Sequence, residues 1–278
     1  MIQKLQCLIT ALKAESDPFI QYLRLKRDSA LDFPYFVNKK LNLGLIGVGV
    51  GKNNIKSRIN DLLKLINHKE VQFINVGIAG GKKSSTNIGE LFMINEILDD
   101  NSDLKYYPDI IVDHGMKESS ITTVETPVLD GGKKYDTLVD MEAHEIFSIC
   151  SKFVPVHDIS IIKIVSDHMD GHELYNQPSV ISELFKEKMD EIIHFIEQFK
   201  LIEKMVTPIL FEKDRAWIKN TKVKYLLTAS QVDQLINYAK GYRLRNQEDP
   251  LPELDIQIPK TKNNQKDTFN IICEKLKT

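Results

Sequence analysis

Short apolar, β-branched runs alternate with amphipathic stretches along roughly the first two hundred positions. Residues 5–12 (LQCLITAL), 41–50 (LNLGLIGVGV), 71–78 (VQFINVGI), 91–97 (LFMINEI) and 159–165 (ISIIKIV) read as buried strands, each short and bounded by turn-forming residues. Between them, Ile55, Ile59, Leu62, Leu63 and Ile66 recur at helical spacing over 53–66. Residues 140–150 (DMEAHEIFSIC) open another helix, and 179–205 reads as one long amphipathic helix. Strands alternating with helices predict right-handed βαβ units. The expected fold class is therefore α/β: a three-layer, twisted, mostly parallel mixed sheet flanked by helices.

After residue 205 the texture changes. A helix is expected over 230–242 with Ser230 as its cap, then Pro250 and Pro252 break the chain. A lysine- and asparagine-rich stretch (PKTKNNQKD, 259–267) reads as a flexible connection before a final short helix. The division is thus 1–205 as one domain and 206–278 as a partly helical C-terminal extension.

Composition narrows the classes. The 278 residues are 42% hydrophobic, ample for a proper core, and the formal net charge of -2 comes without a basic stripe. A nucleic-acid partner is not expected. No apolar run approaches the ~20 residues that span a bilayer, so no membrane partner is expected. QCLITAL near the start is short, lacks a preceding basic region and does not read as a signal peptide. Cys7, Cys150 and Cys273 are odd in number and far apart, which suits neither disulfides nor zinc and implies a reducing, cytoplasmic setting. His114, His144, His157, His168 and His172 match no metal template. Neither a metal nor a cofactor is expected.

Two glycine clusters and one strand end invite a chemical reading. Gly47, Gly49, Gly51 and Lys52 fail the phosphate-loop spacing, because Ile46 and Asn53 stand where Gly and Ser or Thr are needed. Gly77, Gly80 and Gly81 suit either a tight turn or close backbone approach to a neighbouring strand or a ligand. The run IIKIVSDHMD ends an apolar strand in a carboxylate, Asp167. Taken alone, Asp167 reads equally as a cap or turn residue, Glu142 as a first-turn helix acid, and Glu15 as an exposed acid.

Order along the chain adds what spacing lacks. ITALKAES, GVGVGKNN, INVGIAGG, NIGELFMINEI, DMEAHEI and IVSDH follow one another in a sequence that resembles the nucleoside phosphorylase and nucleosidase superfamily. The pattern is most similar to methylthioadenosine/S-adenosylhomocysteine nucleosidases, over about residues 5–205. The resemblance implies that Asp167 is the general acid toward N7 of a purine. It implies that Glu142 holds the ribose hydroxyls, that Met141 packs on the sugar, and that Glu15 positions or deprotonates the attacking water. Ala79, Gly80, Ser166 and His168 fall beside these as substrate-binding positions, with His168 near the base or ring oxygen. Glu15, Glu142 and Asp167 are expected to converge on one pocket at strand ends.

The same resemblance leaves water or phosphate as the nucleophile. Hexameric purine nucleoside phosphorylases carry an Arg and a Ser where Asn75 and Ile78 stand, and a helper Arg after the last motif. No Arg occurs between Arg58 and Arg215, and Glu15 would repel phosphate. Hydrolysis of a small nucleoside is the preferred reading. A phosphorylase drawing on Lys13, Lys52 or a neighbour's Arg24 or Arg27, and a non-catalytic nucleoside binder, are the alternatives. The resemblance also implies a homodimer or higher oligomer. Light scattering at micromolar concentration is expected to show at least a dimer, and a monomer alone would contradict it.

Overall fold

Residues 4–66, 71–171, 177–205, 209–246, 249–259 and 262–277 are described by the computed structural model, in two units, Met1–Glu203 and Lys204–Thr278. In the first unit the buried strands β1 (Leu5–Thr10), β4 (Leu43–Gly47), β5 (Val71–Gly80) and β10 (Ile159–Asp167) run mutually parallel, in the order β4-β1-β5-β10. The short strands β2 (Lys26–Arg27) and β3 (Tyr35–Asn38) extend the β4 edge with antiparallel ladders. Beyond β5 lie β6 (Leu91–Asp99), β7 (Lys105–Tyr106), β8 (Lys117–Thr123) and β9 (Leu138–Asp140).

The sheet is mixed, but it is not the twisted, mostly parallel one expected from the sequence, because part of it closes on itself. β10 pairs parallel to β5 and antiparallel to β6, while β9 returns to pair with Gly80 of β5. The five strands β10-β6-β8-β9-β5 therefore close into a ring. Bulges between Val165 and Asp167 and between Ile94 and Glu96 supply the extra local twist that curls these strands. Antiparallel ladders are as frequent as parallel ones among the described residues.

Period-two alternation sends successive side chains to two cores. Ile9, Ile46, Phe73 and Ile161 pack beneath α2 (Lys52–Leu65) and α3 (Ala143–Cys150), which contribute Ile55, Ile59, Ile146 and Phe147. Leu8, Leu45, Ile74 and Ile162 pack on the other side against α1 (Lys13–Tyr22), α4 (Pro178–Glu187) and α5 (Met189–Met205). The helix expected over 179–205 is thus two helices, divided at Lys188, whose ψ of 4° leaves the helical well. No Gly or Pro marks that break. Tertiary packing does, with Phe185 of α4 set edge-on to Phe19 of α1 at 5.8 Å.

Helix α1 has no apolar stripe that sequence periodicity would find, and it contains Pro18. Proline cannot donate to the carbonyl four residues back. Ser182 of α4 supplies the missing hydrogen bond to the Ala14 carbonyl, at 2.8 Å. Strand β8 also escaped the pattern, because its first half (KESS) is partly exposed and polar. Among the described residues no helix is long and apolar enough to cross a membrane.

The second unit is built from α6 (Glu212–Lys224), α7 (Ala229–Arg245) and α8 (Lys262–Lys275) around Ile218, Tyr225, Leu235, Ala239, Phe269 and Ile272. The cap of α7 lies two residues earlier than expected: the Thr228 hydroxyl, not Ser230, accepts the Gln231 N–H. α8 begins inside the lysine- and asparagine-rich stretch expected to be a connection. The core also holds one buried ion pair, Arg243 Nε and Nη2 on the two Asp214 oxygens at 2.9 and 2.6 Å. Trp217, the chain's one tryptophan, donates to the Pro252 carbonyl and reports this unit alone. Arg243→Leu leaves Asp214 buried without its partner. It is expected to lower the unfolding free energy read from Trp217 fluorescence in urea by about 3–5 kcal/mol. A shift under 1 kcal/mol would contradict that.

Candidate functional site

A cavity of about 330 Å³ opens at the carboxyl ends of the parallel strands, where α/β folds place ligands. Leu12 and Glu15 enter it from the β1–α1 turn and Val50 from the loop after β4. Ile78, Ala79 and Gly80 end β5, and Ser166, Asp167 and Met169 end β10. Asp140, Met141 and Glu142 bridge β9 to α3, while Val124, Pro127 and Val128 form an aliphatic wall after β8.

Glu15 is 2% exposed and held by three backbone N–H groups. One carboxylate oxygen accepts from Ala11 and Leu12 at 2.8 and 2.9 Å, satisfying the start of its own helix. The other accepts from Ile78 at 3.0 Å, tying α1 to the end of β5. Burial raises its pKa, and these bonds together with the nearby Lys163 ammonium offset part of that rise.

Lys163 is the group the sequence reading passed over. Its side chain is 1% exposed in the middle of β10, and its Nζ lies 2.8 Å from Asp140 Oδ2. Asp140 is itself fully engaged: Oδ2 also accepts the Ala143 N–H at 2.8 Å, and Oδ1 accepts the Thr123 hydroxyl at 2.6 Å. Burial disfavours the Lys163 charge, but Asp140, Glu142 and Glu15 outweigh it and raise the pKa. Gly77 leaves the room for this meeting, since a Cβ there would lie 3.1 Å from Lys163 Nζ and 3.2 Å from Glu15 Oε1. The sequence did carry a signal: a lone lysine inside IIKIV has no exit to water, so it needs a buried anion.

Glu142 lies at the start of α3, half-buried. Burial and the repulsion of Asp140 push its pKa up to about 8, against the pull of Lys163. Asp167 is oriented by two donors, the Ser166 hydroxyl on Oδ2 at 2.7 Å and the Met169 N–H on Oδ1 at 2.8 Å.

Of the residues singled out from the sequence, Glu15, Ala79, Gly80, Met141, Glu142, Ser166 and Asp167 line the one cavity. His168 does not. Its Nδ1 lies 3.1 Å from the Gly81 carbonyl, because the turn after Asp167 carries its ring toward the β5 end instead of the cavity. Asn75 is also off the wall, buried in mid-sheet with its amide donating to the Ile9 carbonyl. His172 lies outside the described residues. Asp140, Lys163 and Met169 are the site residues that sequence reasoning missed.

Solved structures similar to this chain include nucleosidases. An MTA/SAH nucleosidase matches with a TM-score of 0.57 at 19% identity, covering 70% of this chain and 96% of its own. A 5′-methylthioadenosine nucleosidase from Arabidopsis thaliana gives 0.55 at 17% identity, with coverage of 70% and 96%. An MTAN from Chlamydia trachomatis bound to MTA gives 0.54 at 18% identity, with coverage of 70% and 98%. The chain shares the nucleosidase fold. No family model matches it, and no curated protein matches its sequence. At this identity the likeness concerns the fold.

The Glu142 shift sets a pH dependence. Because its folded pKa is raised, the folded state binds more protons than the unfolded state from about 4.5 to about 8. The stability this gives is full below the unfolded value and lost as pH rises through the folded one. Glu142→Gln copies the protonated form. It is expected to raise the melting temperature at pH 9, by an amount on the order of 1–2 kcal/mol or about 2–8 °C, and to lose that advantage by pH 5. An equal effect at both values would contradict the shift.

Proposed function

We propose that the chain is a nucleosidase that hydrolyses the N-glycosidic bond of a purine nucleoside, of the methylthioadenosine/S-adenosylhomocysteine kind, to free base and ribose derivative. The observation that carries this reading is the charge of the cavity wall. Glu15, Asp140, Glu142 and Asp167 line it, and no cation is among the described lining residues. Lys163 is engaged with Asp140 behind the wall, and Lys52 pairs with Glu125 at 3.1 Å. A phosphate dianion entering there would meet carboxylates and no free cation, whereas neutral water would meet acceptors. Nucleosidase neighbours, one of them crystallised with MTA, support the same choice.

Breaking the bond from C1′ to the base nitrogen leaves positive charge on the sugar and negative charge on the base. Asp167, oriented by Ser166 and Met169, donates a proton to the leaving base. Water adds to C1′ from the Glu15 side and gives up its proton there. Three N–H bonds occupy Glu15, leaving about one of its roughly four acceptor positions for that water. Glu142 meets the ribose hydroxyls. Its carboxylate form attracts the positive charge that builds on the sugar, so it favours the transition state over the ground state. Met141 and the aliphatic wall of Val124, Pro127 and Val128 exclude water from the organic faces of the substrate. The setting proposed for this activity is cytoplasmic, and the assembly homo-oligomeric.

Asp167→Asn cannot protonate the base and is expected to lower kcat about 10²–10⁴-fold while substrate still binds. Glu15→Ala discriminates the nucleophile. For a hydrolase it abolishes base release with or without phosphate. Base release that requires phosphate and survives Glu15→Ala would overturn the assignment in favour of a phosphorylase. Free base from methylthioadenosine, S-adenosylhomocysteine, adenosine and inosine is the readout.

A further inference from the structure

Met169 has a backbone no other residue of the site shares. Its φ is 57°, in the left-handed region that side-chain-bearing residues rarely adopt. It nevertheless sits two residues after the proton-donating carboxyl, lines the cavity and is 2% exposed. Strain of this kind persists only where the surroundings impose it. Here three sets of contacts do. The Met169 N–H donates to Asp167 Oδ1 at 2.8 Å, and its carbonyl accepts the Gly131 N–H of the β8–β9 loop at 2.6 Å. Its side chain is wedged between two glycines. A Cβ on Gly80 of β5 would lie 2.5 Å from Met169 Cγ, and one on Gly132 of the loop would collide with its Cε and Sδ. Val124, Val139 and half-buried Val128, Tyr135 and Met141 complete the apolar patch around it.

We propose that Met169 is the positioning residue of the general acid, acting through Asp167 and not on the substrate. The wedge between Gly80 and Gly132 holds the backbone in the turned conformation that aims the Met169 N–H at Asp167. With the Ser166 hydroxyl on the other oxygen, the plane of the carboxyl is fixed before substrate arrives. The same wedge fastens the β8–β9 loop over the acid, so the strand end, the opposing strand and the loop move as one piece. The inference rests on the nucleosidase reading. It adds to that reading a residue whose role comes from shape, which suits an unbranched thioether that adapts to an irregular gap.

The test is a double-substitution cycle on the full chain, with kcat and KM for base release from methylthioadenosine as readouts. Met169→Ala removes the wedge and is expected to lower kcat about tenfold with KM changed less than threefold, because proton donation is misaimed while binding persists. Met169→Leu, of similar volume, is expected to recover most of the loss. Gly80→Ala displaces Met169 Cγ and also sets its Cβ 3.2 Å from Asp167 Oδ1, so it is expected to impair kcat by itself. Combined with Met169→Ala it should cost clearly less than the sum of the two single effects, since the Cγ it met at 2.5 Å is gone while the contact with Asp167 remains. A normal kcat in Met169→Ala, a loss confined to KM, or additive losses in the double variant would overturn the proposal while leaving the nucleosidase reading standing. If the wild-type chain releases no base from any nucleoside of the panel, that reading falls first and this one with it.

Discussion

An ammonium group in the middle of a β-sheet costs several kcal/mol to desolvate unless anions stand beside it, and Lys163 is such a group. Asp140 answers it at 2.8 Å and, in doing so, is tied to Thr123 of β8 and to the first turn of α3. That fixes where α3 begins, and therefore where Glu142 stands. Glu15 approaches the same cation from α1 over Gly77. One buried charge thus links β10, β8, α3 and α1. Three carboxylates can gather around it because it offsets part of their repulsion. Burial first, and then the part of the Asp140 and Glu15 repulsion that Lys163 does not offset, raise the Glu142 pKa.

The backbone around this cluster is shaped by what is missing from it. Gly77 leaves the space in which Lys163 and Glu15 meet, and Gly80 leaves the space in which Met169 lies against the strand end. Neither glycine is needed for an unusual dihedral, since both sit in a regular strand. Their value is close approach, which resolves the choice between turn and approach that the sequence left open. The ring closure of β10-β6-β8-β9-β5 serves the same end. It brings the aliphatic wall after β8 to face the carboxylates at the ends of β1, β9 and β10, so a cavity forms with one apolar and one acidic side.

What could be read from the chain follows from local rules. The strands around 5–12, 71–78, 91–97 and 159–165 and the helix around 53–66 were legible because their apolar periodicity is strong and uninterrupted. Glu15, Glu142 and Asp167 were legible because each follows a strand in a motif with fixed order. Three things were not. α1 depends on Ser182 completing the bond that Pro18 cannot make, a partner more than 160 positions away. β8 is half polar because one end of it is exposed. The division of α4 from α5 at Lys188 reflects packing on α1, not a breaker in the sequence.

By itself the sequence determined the α/β class and the main strands, and the resemblance in motif order singled out three of the four cavity acids, Glu15, Glu142 and Asp167, because these depend on residue type, period and order. Tertiary structure alone decided that the sheet closes on itself, that Lys163 is the cation among those acids, that His168 turns away, and that Met169 stands under Gly132. Each of these is a relation between segments distant in the chain. Close packing and buried charge act across space, and no spacing along the sequence records them.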